Sequence, residues 1–352
     1  MRRNRQTAQV SLAFLIASTI TLGMLALTIV LVGQSFRGME SAKITAASAT
    51  ARQLAVSVDD RIRTITGPPS TALAVLSHDP LAVADTLQQR LVRLPVIADI
   101  LDSSDIVSAV YAGYDNGDFF LLRKIRSSGA MQFPDAPTNA QYLLQSITRA
   151  EDGRPQPMWH FYDANRTLLE RRTPSDYRFD PRDRGWYELA NASGTTELTA
   201  PYVFFTTGET GLTLSRRQAI AKGMDSNTVF GIDVTVTDLS TQLAELRQTP
   251  GTRIAIVNAE GSPLAYTGPD TTNSGTTSTT AKPQGLSDGA INAVLERDGM
   301  QATSELVNRF TTENRDWYGM TEPLDSLNQE NLKIAVAIPA DELLADVWAA
   351  LT

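Results

Sequence analysis

The chain has 352 residues, no cysteine and a formal net charge of −8 at pH 7. The lack of cysteine excludes disulfide bonds, thiol catalysis and cysteine-ligated zinc, and the acidic balance argues against nucleic acid as a partner. A chain of this length is more than one hydrophobic core usually serves, so two domains are expected.

The first element is an apolar segment, Ser11 to Gly33, which carries no charge and is rich in Leu, Ile, Ala and Val. As a helix it would extend about 34 Å, enough to cross a hydrocarbon core of about 30 Å. Three arginines precede it, so the positive-inside rule predicts residues 1–10 in the cytoplasm and the chain after about residue 34 outside it. A cleaved signal peptide is the alternative, but the run is longer than a signal core and no A-x-A site follows it.

A stalk helix is predicted over residues 34–66, because the sequence from Gly38 to Ile65 is almost free of Gly and Pro and mixes apolar with charged residues. Gly67-Pro68-Pro69 is expected to interrupt this helix. A second helical stretch follows, and His78-Asp79-Pro80 divides it into two parts.

From residue 106 onward the apolar residues alternate as they do in strands. Asn116-Gly117 is a strong signal for a hairpin turn. Strands are predicted at 106–114, 119–125, 158–162, 167–172, 197–205, 211–221 and 228–236, with a short helix ending near 192 and another over 238–247.

A second unit begins with a hairpin over 253–266, and the stretch Thr271–Thr280 has the composition of a mobile loop. The remaining elements are predicted as a helix at 288–296, strands at 302–308, 317–322 and 332–338, and a helix at 340–351. Each unit ends on a strand followed by a departing helix. We therefore predict an α+β fold, with a long N-terminal transmembrane and stalk helix followed by two stacked antiparallel-sheet modules.

The residues that carry chemistry are concentrated in one short segment. The nine residues that end at Tyr187 read Phe-Asp-Pro-Arg-Asp-Arg-Gly-Trp-Tyr. The Arg184 guanidinium presents planar donors that suit a carboxylate, and the Tyr187 hydroxyl could add another donor there. Asp233 could accept from an ammonium group, while the ring of Tyr202 or Trp186 could face a cation. Together these groups fit a zwitterion.

The motifs resemble the extracellular double-Cache sensor domains of bacterial transmembrane receptors, whose two modules are PAS-like. The usual pattern of that family is Asp-Pro-Arg-x-Arg-Pro-Trp-Tyr, then Pro-Tyr, then a Gly-Val-Asp-type strand. The corresponding residues here are Asp180–Tyr187, Pro201-Tyr202 and Gly231-Ile232-Asp233. The resemblance covers nearly the whole chain after the apolar segment.

The resemblance implies a ligand-binding, membrane-distal Cache module at 67–248 and a membrane-proximal module at 249–339. It implies anchoring in a bacterial inner membrane, periplasmic modules, and a homodimer along the stalk helix. An exit helix at 340–352 would lead to a second membrane segment and a cytoplasmic output domain. A nucleotide cyclase, a histidine kinase, a chemoreceptor output or a cyclic-di-GMP enzyme would fit, and the stretch 201–216 favours a cyclase.

Members of this family that bind free amino acids share a further set of six residues, which the resemblance carries over as ligand-binding residues. Their positions here are Phe179, Arg184, Trp186, Tyr187, Tyr202 and Asp233. Phe179 stands where the family has tyrosine, so one hydroxyl that would hold a carboxylate is missing, and an organic acid or an amine stays open as the ligand. Gly185 replaces the common proline and loosens the backbone beside Arg184.

These residues also have structural interpretations. Trp186 and Tyr187 could fill the core of a sheet, and Asp233 could pair with Arg184, because a lone buried carboxylate is costly. Two charged residues are expected to brace the loop rather than contact ligand: Asp180 and Arg182. Three more aromatic residues could line the site, although core packing is the simpler interpretation: Tyr111, Tyr114 and Trp159.

No other chemistry is indicated. The two histidines, His78 and His160, lie far apart without an acidic cluster near them, so no metal site or catalytic triad is predicted. The glycine motifs of P-loops, dinucleotide folds and serine hydrolases are absent, so no cofactor is expected. Trp317-Tyr318 is expected in the core of the proximal module. The alternatives to a receptor are an anchored periplasmic binding or scaffold protein without cytoplasmic output and an exported enzyme, although no nucleophile–base pair supports the latter.

Overall fold

The computed structural model describes residues 12–125, 133, 135–218, 227–268, 286–298, 307–327 and 331–343. Within them the chain forms a long N-terminal helix, α1 (Leu12–Leu76), followed by two antiparallel sheets of nine and five strands. The predicted α+β architecture is therefore confirmed.

The first part of α1 contains the apolar segment, and the side chains of residues 16–35 are all exposed. This part is long and apolar enough to cross a membrane. Further along, one face of the helix is buried at helical spacing: Ala47, Ala51, Leu54, Val58 and Ile62. The same helix contacts strands of both sheets, so it supports both units.

Helix α1 does not end at Gly67-Pro68-Pro69, and the interruption predicted there is wrong. A proline inside a helix removes a main-chain hydrogen bond and costs about 3 kcal/mol or more. The helix continues because Leu73 and Leu76, beyond the prolines, are buried in the same core as Leu54 and Ile62. Burial of two leucine side chains contributes about 3–6 kcal/mol, which is comparable to that cost.

The first sheet follows a 3₁₀ turn at Pro80–Val83 and two short helices, α2 (Leu87–Val92) and α3 (Leu94–Asp102). Its strands are β1 (Val107–Gly113), β2 (Phe119–Lys124), β3 (Tyr142–Arg149), β4 (Pro155–Tyr162), β5 (Leu168–Arg172), β6 (Glu197–Leu198), β7 (Tyr202–Val203), β8 (Thr210–Arg217) and β9 (Val229–Thr235). Their spatial order is β5-β4-β3-β2-β1-β9-β8-β6, with β7 paired to β8. Between β5 and β6 lie a 3₁₀ turn at Pro181–Asp183 and helix α4 (Gly185–Ser193).

Strand β3 is absent from the sequence prediction. Its first six residues are all buried, so apolar and polar side chains do not alternate along it. Two polar residues, Gln145 and Ser146, are buried in the middle of the strand, and they interrupt the apolar run by which a buried strand is recognised.

The second sheet has the order β11-β10-β14-β13-β12. Its elements are α5 (Val236–Ala244), β10 (Arg253–Val257), β11 (Pro263–Thr267), α6 (Gly289–Asp298), β12 (Asn308–Thr312), β13 (Arg315–Pro323) and β14 (Lys333–Pro339). Trp317 and Tyr318 are buried in its core, as expected. The exit helix begins at Ala340. Four predicted segments lie wholly or mostly outside the described residues: 1–10, 271–280, 302–308 and 344–352.

Alternation along β1 separates two environments. Val110 and Ala112 face the core that includes α1 and α3, whereas Ala109 and Tyr111 face the opposite side of the sheet. On that opposite side they join an aromatic cluster that contains Trp186 of α4. The first sheet therefore has one face for stability and one face where polar and aromatic groups meet.

Candidate functional site

The candidate site lies on the face of the first sheet that points away from α1. Asp233 on β9 is opposite Thr213 on β8 and opposite Ala109 on β1, and Ala109 is in turn opposite Arg123 on β2. Directly opposite residues share a face of a sheet. A carboxylate and a guanidinium therefore flank the small side chain of Ala109.

Asp233 is the buried acid of this row, with 4% of its surface exposed. Its Oδ1 accepts hydrogen bonds from the hydroxyls of Tyr111 and Thr213, each at 2.7 Å. The Tyr202 hydroxyl lies 2.7 Å from Thr213 Oγ1 and extends the network. Burial raises the pKa of Asp233 from 3.8 to about 6, although the two hydrogen bonds and the charge of Arg123 oppose this shift. At neutral pH the group is a carboxylate, and among the described residues no ion pair includes it.

Gly231 allows Tyr111 to reach this carboxylate. The two residues are opposite each other on β9 and β1, and the Tyr111 ring lies across the glycine. A β-carbon at position 231 would collide with that ring. The missing side chain thus positions the tyrosine hydroxyl on Asp233.

Arg184 is the N-cap residue of α4, and its side chain reaches the site from that position. Its backbone is extended, with φ −108° and ψ 135°, and its side chain makes no capping hydrogen bond. The guanidinium carbon lies 5.7 Å from the ring centres of both Phe179 and Phe205. Since Arg184 appears in no side-chain hydrogen bond or ion pair of the described residues, its planar donors remain available to an anion.

The turn before Arg184 is braced by Asp180. The carboxylate accepts from Arg182 Nη2 at 2.7 Å and from Arg149 Nη2 at 3.0 Å. The hydrogen bond from Arg182 is the largest cause that lowers the pKa of Asp180, to about 2. Asp180 and Arg182 thus make the contacts expected of residues that brace this turn.

A cavity of about 30 Å³ lies between these groups. It holds no more than a water molecule or two. Residues 204–209, which we call the cover loop, lie over part of it: Phe205 packs against Tyr177 and Phe179, and the Thr206 hydroxyl lies 2.9 Å from that of Tyr177. Phe205 nevertheless keeps 48% of its surface exposed. The tip of the cover loop at Phe205 is thus weakly buried, whereas Phe204 at its base has 3% of its surface exposed.

Larger grooves lie elsewhere. One of about 370 Å³ is formed by α1 together with residues such as Thr196 and Arg216, and one of about 520 Å³ lies beside Arg309 and Asp341. We place the candidate site in the smaller cavity, because the buried carboxylate, two arginines and the aromatic rings converge there.

The structure brings five of the six predicted site residues to this cavity: Phe179, Arg184, Trp186, Tyr202 and Asp233. Tyr187 is not among the lining residues. Its hydroxyl donates to the main-chain carbonyl of Asn227 at 3.1 Å, and its ring packs against Trp186. Tyr187 therefore occupies a packing position in this structure.

The further aromatic candidates divide in the same way. Tyr111 lines the cavity, whereas Tyr114 stacks on Arg90, with the guanidinium carbon 3.9 Å from the ring centre. Trp159 packs edge-on against Tyr177 and Phe133, outside the cavity.

Sequence reasoning missed several lining residues: Leu121, Arg123, Tyr177, Phe204, Phe205, Thr206, Phe119 and, in the polar network, Thr213. Arg123 carried a signal, because it follows four apolar residues in a strand and lies on the same face as Phe119 and Leu121. The cover-loop residues carried none, since only the folded hairpin places them over the sheet.

No protein-family model matches this chain. A curated protein, adenylate cyclase 1 of Rhizobium meliloti (strain 1021), is 27% identical over 341 residues, which cover 93% of this chain and 50% of that protein. The chain therefore spans about half the length of this relative.

Several solved structures are similar to the fold. The ligand-binding domain of the Pseudomonas fluorescens chemoreceptor CtaA in complex with L-isoleucine has 18% identity and a TM-score of 0.54, and covers 87% of this chain and 98% of that one. The same domain in complex with L-serine has 18% identity and a TM-score of 0.52, and the match covers 84% of this chain and 97% of that one. The ligand-binding domain of the Campylobacter jejuni chemoreceptor Tlp3 in complex with 4-methylisoleucine has 14% identity and a TM-score of 0.53. That match covers 86% of this chain and 94% of that one. The chain thus has the fold of chemoreceptor ligand-binding domains.

Proposed function

We propose that this chain is the extracytoplasmic sensor of a bacterial transmembrane receptor of the double-Cache type, and that it binds a small amino-acid-like ligand in the cavity of its first sheet. The observation that carries the proposal is the convergence of Arg184 and Asp233 on one aromatic-walled cavity. The solved structures with this fold that were named above hold amino acids, which supports the same ligand class.

The proposed binding mode assigns one end of a zwitterion to each charged wall. The Asp233 carboxylate, already oriented by Tyr111 and Thr213, receives the ligand ammonium group. The Arg184 guanidinium receives the ligand carboxylate through paired N–H donors. Rings of Trp186 and Tyr202 enclose the ligand between them and exclude water, which strengthens both charge pairs.

Ligand entry requires the cover loop to move, because the cavity is smaller than any amino acid. Phe204 anchors the base of the loop, but the tip is held by the half-exposed Phe205 ring and the Thr206–Tyr177 hydrogen bond, so movement of the tip is inexpensive. A ligand that stabilises one arrangement of this loop shifts the population of receptor states. The shift would pass to α1 and to the exit helix, since both adjoin the sheets.

We propose that the apolar part of α1 anchors the chain in the inner membrane with its N-terminal arginines in the cytoplasm, and that α1 forms the axis of a homodimer. A cytoplasmic nucleotide cyclase is the output that we propose for the whole receptor, on the strength of the adenylate cyclase relative, of which the chain spans half. That relative does not favour the alternative of an anchored binding protein without output.

Isothermal titration of the full chain in lipid nanodiscs tests the proposal, with amino acids, organic acids and amines as probes. Arg184→Ala and Asp233→Asn should abolish binding while the chain stays folded by circular dichroism. Arg178→Ala is the matched control, because Arg178 lies in the same segment with its side chain 91% exposed, and it should bind as the unaltered chain does. Unchanged affinity in the two site variants would refute the site, and the absence of binding by every probe would refute the sensor function.

A further inference from the structure

Arg123 is a buried cation on the floor of the cavity. It has 6% of its surface exposed and lines the same space as Arg184 and Asp233. It lies on β2, opposite Ala109, while Asp233 lies opposite the same alanine on β9. Strands are about 4.8 Å apart, so the backbones of the two charged residues are about 10 Å apart with only a methyl group between them.

Within the described residues, Arg123 uses only part of the hydrogen-bonding capacity of its charged guanidinium group. Its Nε donates to Gln145 Oε1 at 3.2 Å. Among the ion pairs of the described residues none includes Arg123, and Asp233 acts on it across Ala109 without ion-pair contact. Within the described residues the Arg123 guanidinium makes no other hydrogen bond, so its Nη1 and Nη2 donors remain for a group in the cavity that it lines.

Two other buried arginines of the chain show the contrast. Arg90, 1% exposed, pairs with Asp118 at 2.8 Å. Arg253, 9% exposed, pairs with Asp288 and Glu313, each at 2.8 Å. Because an unpaired buried charge is costly, buried arginines are normally matched by carboxylates. Arg123 departs from this rule at the place where a ligand is expected.

We propose that Arg123 binds a second carboxylate of the ligand, which makes the chain selective for acidic amino acids; this inference rests on the proposed function. Of the groups that line the cavity, Arg123 and Arg184 are cations and Asp233 is an acid, so the lining has one excess positive charge when Asp233 is ionised. An amino dicarboxylate has one excess negative charge. A neutral amino acid would satisfy Asp233 and Arg184 and leave Arg123 buried without an anion.

The geometry gives each group of such a ligand its own partner. Asp233 and Arg123 rise from the sheet on either side of Ala109, so a short chain across that methyl reaches both. Arg184 enters from the wall formed by α4 and is packed between Phe179 and Phe205, so the second carboxylate is held apart from the first. Glu209 influences Asp233 electrostatically but is not part of the lining.

The test compares L-glutamate and L-aspartate with L-glutamine, L-asparagine and L-norvaline by isothermal titration on the full chain in nanodiscs. We expect the acids to bind at least about tenfold more tightly than their amides, as a charged hydrogen bond requires. Arg123→Met should remove this preference and leave the binding of L-glutamine equal or stronger.

A stability measurement separates a ligand role from a structural one. Arg123→Met should leave the unfolding midpoint unchanged or higher, because it removes an unpaired buried charge. Arg90→Met is the matched control and should lower the midpoint, since it leaves Asp118 buried without a partner.

Three outcomes would overturn the inference. Neutral amino acids that bind as tightly as the acids would refute the selectivity while the proposed function stands. An acid preference that survives Arg123→Met would refute the role of this residue. Failure of every amino acid to bind would refute the proposed function as well.

Discussion

Replacement of Asp233 by asparagine is the perturbation for which the structure gives the clearest magnitude. Burial raises the pKa of Asp233 from 3.8 to about 6. The folded state therefore binds the proton more tightly than the unfolded state, and stability falls as pH rises through the interval between these two values. A rise of about two in the pKa corresponds to a free energy of unfolding that is lower by about 3 kcal/mol. This destabilisation is fully present above about pH 6 and absent below about pH 4.

Asparagine keeps the acceptor that the network uses. Oδ1 accepts from Tyr111 and Thr213, whereas Oδ2 makes no hydrogen bond within the described part of the chain. The amide oxygen can replace Oδ1, so the main change is the loss of the buried charge. Asp233→Asn should therefore be more stable than the unaltered protein by up to about 3 kcal/mol at pH 7.5, with the difference vanishing near pH 4.

Urea unfolding of residues 35–352, followed by tryptophan fluorescence between pH 4 and 8, measures this difference. Asp180→Asn is the control of opposite sign. Its pKa is lowered to about 2, mainly by Arg182, so its charged form stabilises the fold above the unfolded pKa and the variant should lose stability at neutral pH. A less stable Asp233→Asn at pH 7.5, or a difference independent of pH, would refute the reasoning that Asp233 is an unpaired buried charge.

Three further predictions concern the same site. Ligand affinity should fall as pH drops through about 6, by about tenfold per pH unit below it, because the protonated Asp233 cannot pair with an ammonium group. Titration of ligand at pH 5 and 7.5 measures this change, and equal affinities would contradict the prediction. Gly231→Ala should lower stability by about 1–3 kcal/mol and weaken binding, because the new methyl displaces the Tyr111 ring. Gly185→Ala is the control and should do neither, since its β-carbon meets no atom within 4 Å. Thermal unfolding and titration compare the two variants, and similar behaviour would show that the glycine does not position the ring. Phe205→Ala should accelerate ligand association in stopped-flow fluorescence with little change in the unfolding midpoint, since the ring covers the cavity but is half-exposed; an unchanged rate would mean that the cover loop does not limit entry.

Local patterns were sufficient for most of the fold. The apolar N-terminal run, the Asn116-Gly117 turn and the short, largely apolar runs of β1 and β9 depend on nearest neighbours in the chain, and the structure confirms these elements. The patterns failed where packing decides: β3 buries the polar residues Gln145 and Ser146 in its middle, and α1 crosses Pro68 and Pro69 because leucines beyond them are buried.

The site shows the same division. The segment ending at Tyr187 indicated an anion-binding arginine, and Asp233 was singled out because a carboxylate inside an apolar strand is difficult to explain by packing. The sequence did not distinguish Trp186, which lines the cavity, from its neighbour Tyr187, whose hydroxyl is directed to Asn227. Two adjacent residues of one helix point in directions about 100° apart, and only the docking of α4 decides which one faces the sheet.

The sequence by itself therefore determined the apolar N-terminal helix, the fold class and the kinds of charged group available, because hydropathy, periodicity and side-chain chemistry are local properties. Only the tertiary structure decided that Arg123 joins Arg184 and Asp233 in one small cavity. One reason is that strand register aligns residues more than a hundred positions apart, such as Arg123 and Asp233 on either side of Ala109. The other is that the surrounding sheet and rings exclude the water that would otherwise leave the pKa of Asp233 near its ordinary value.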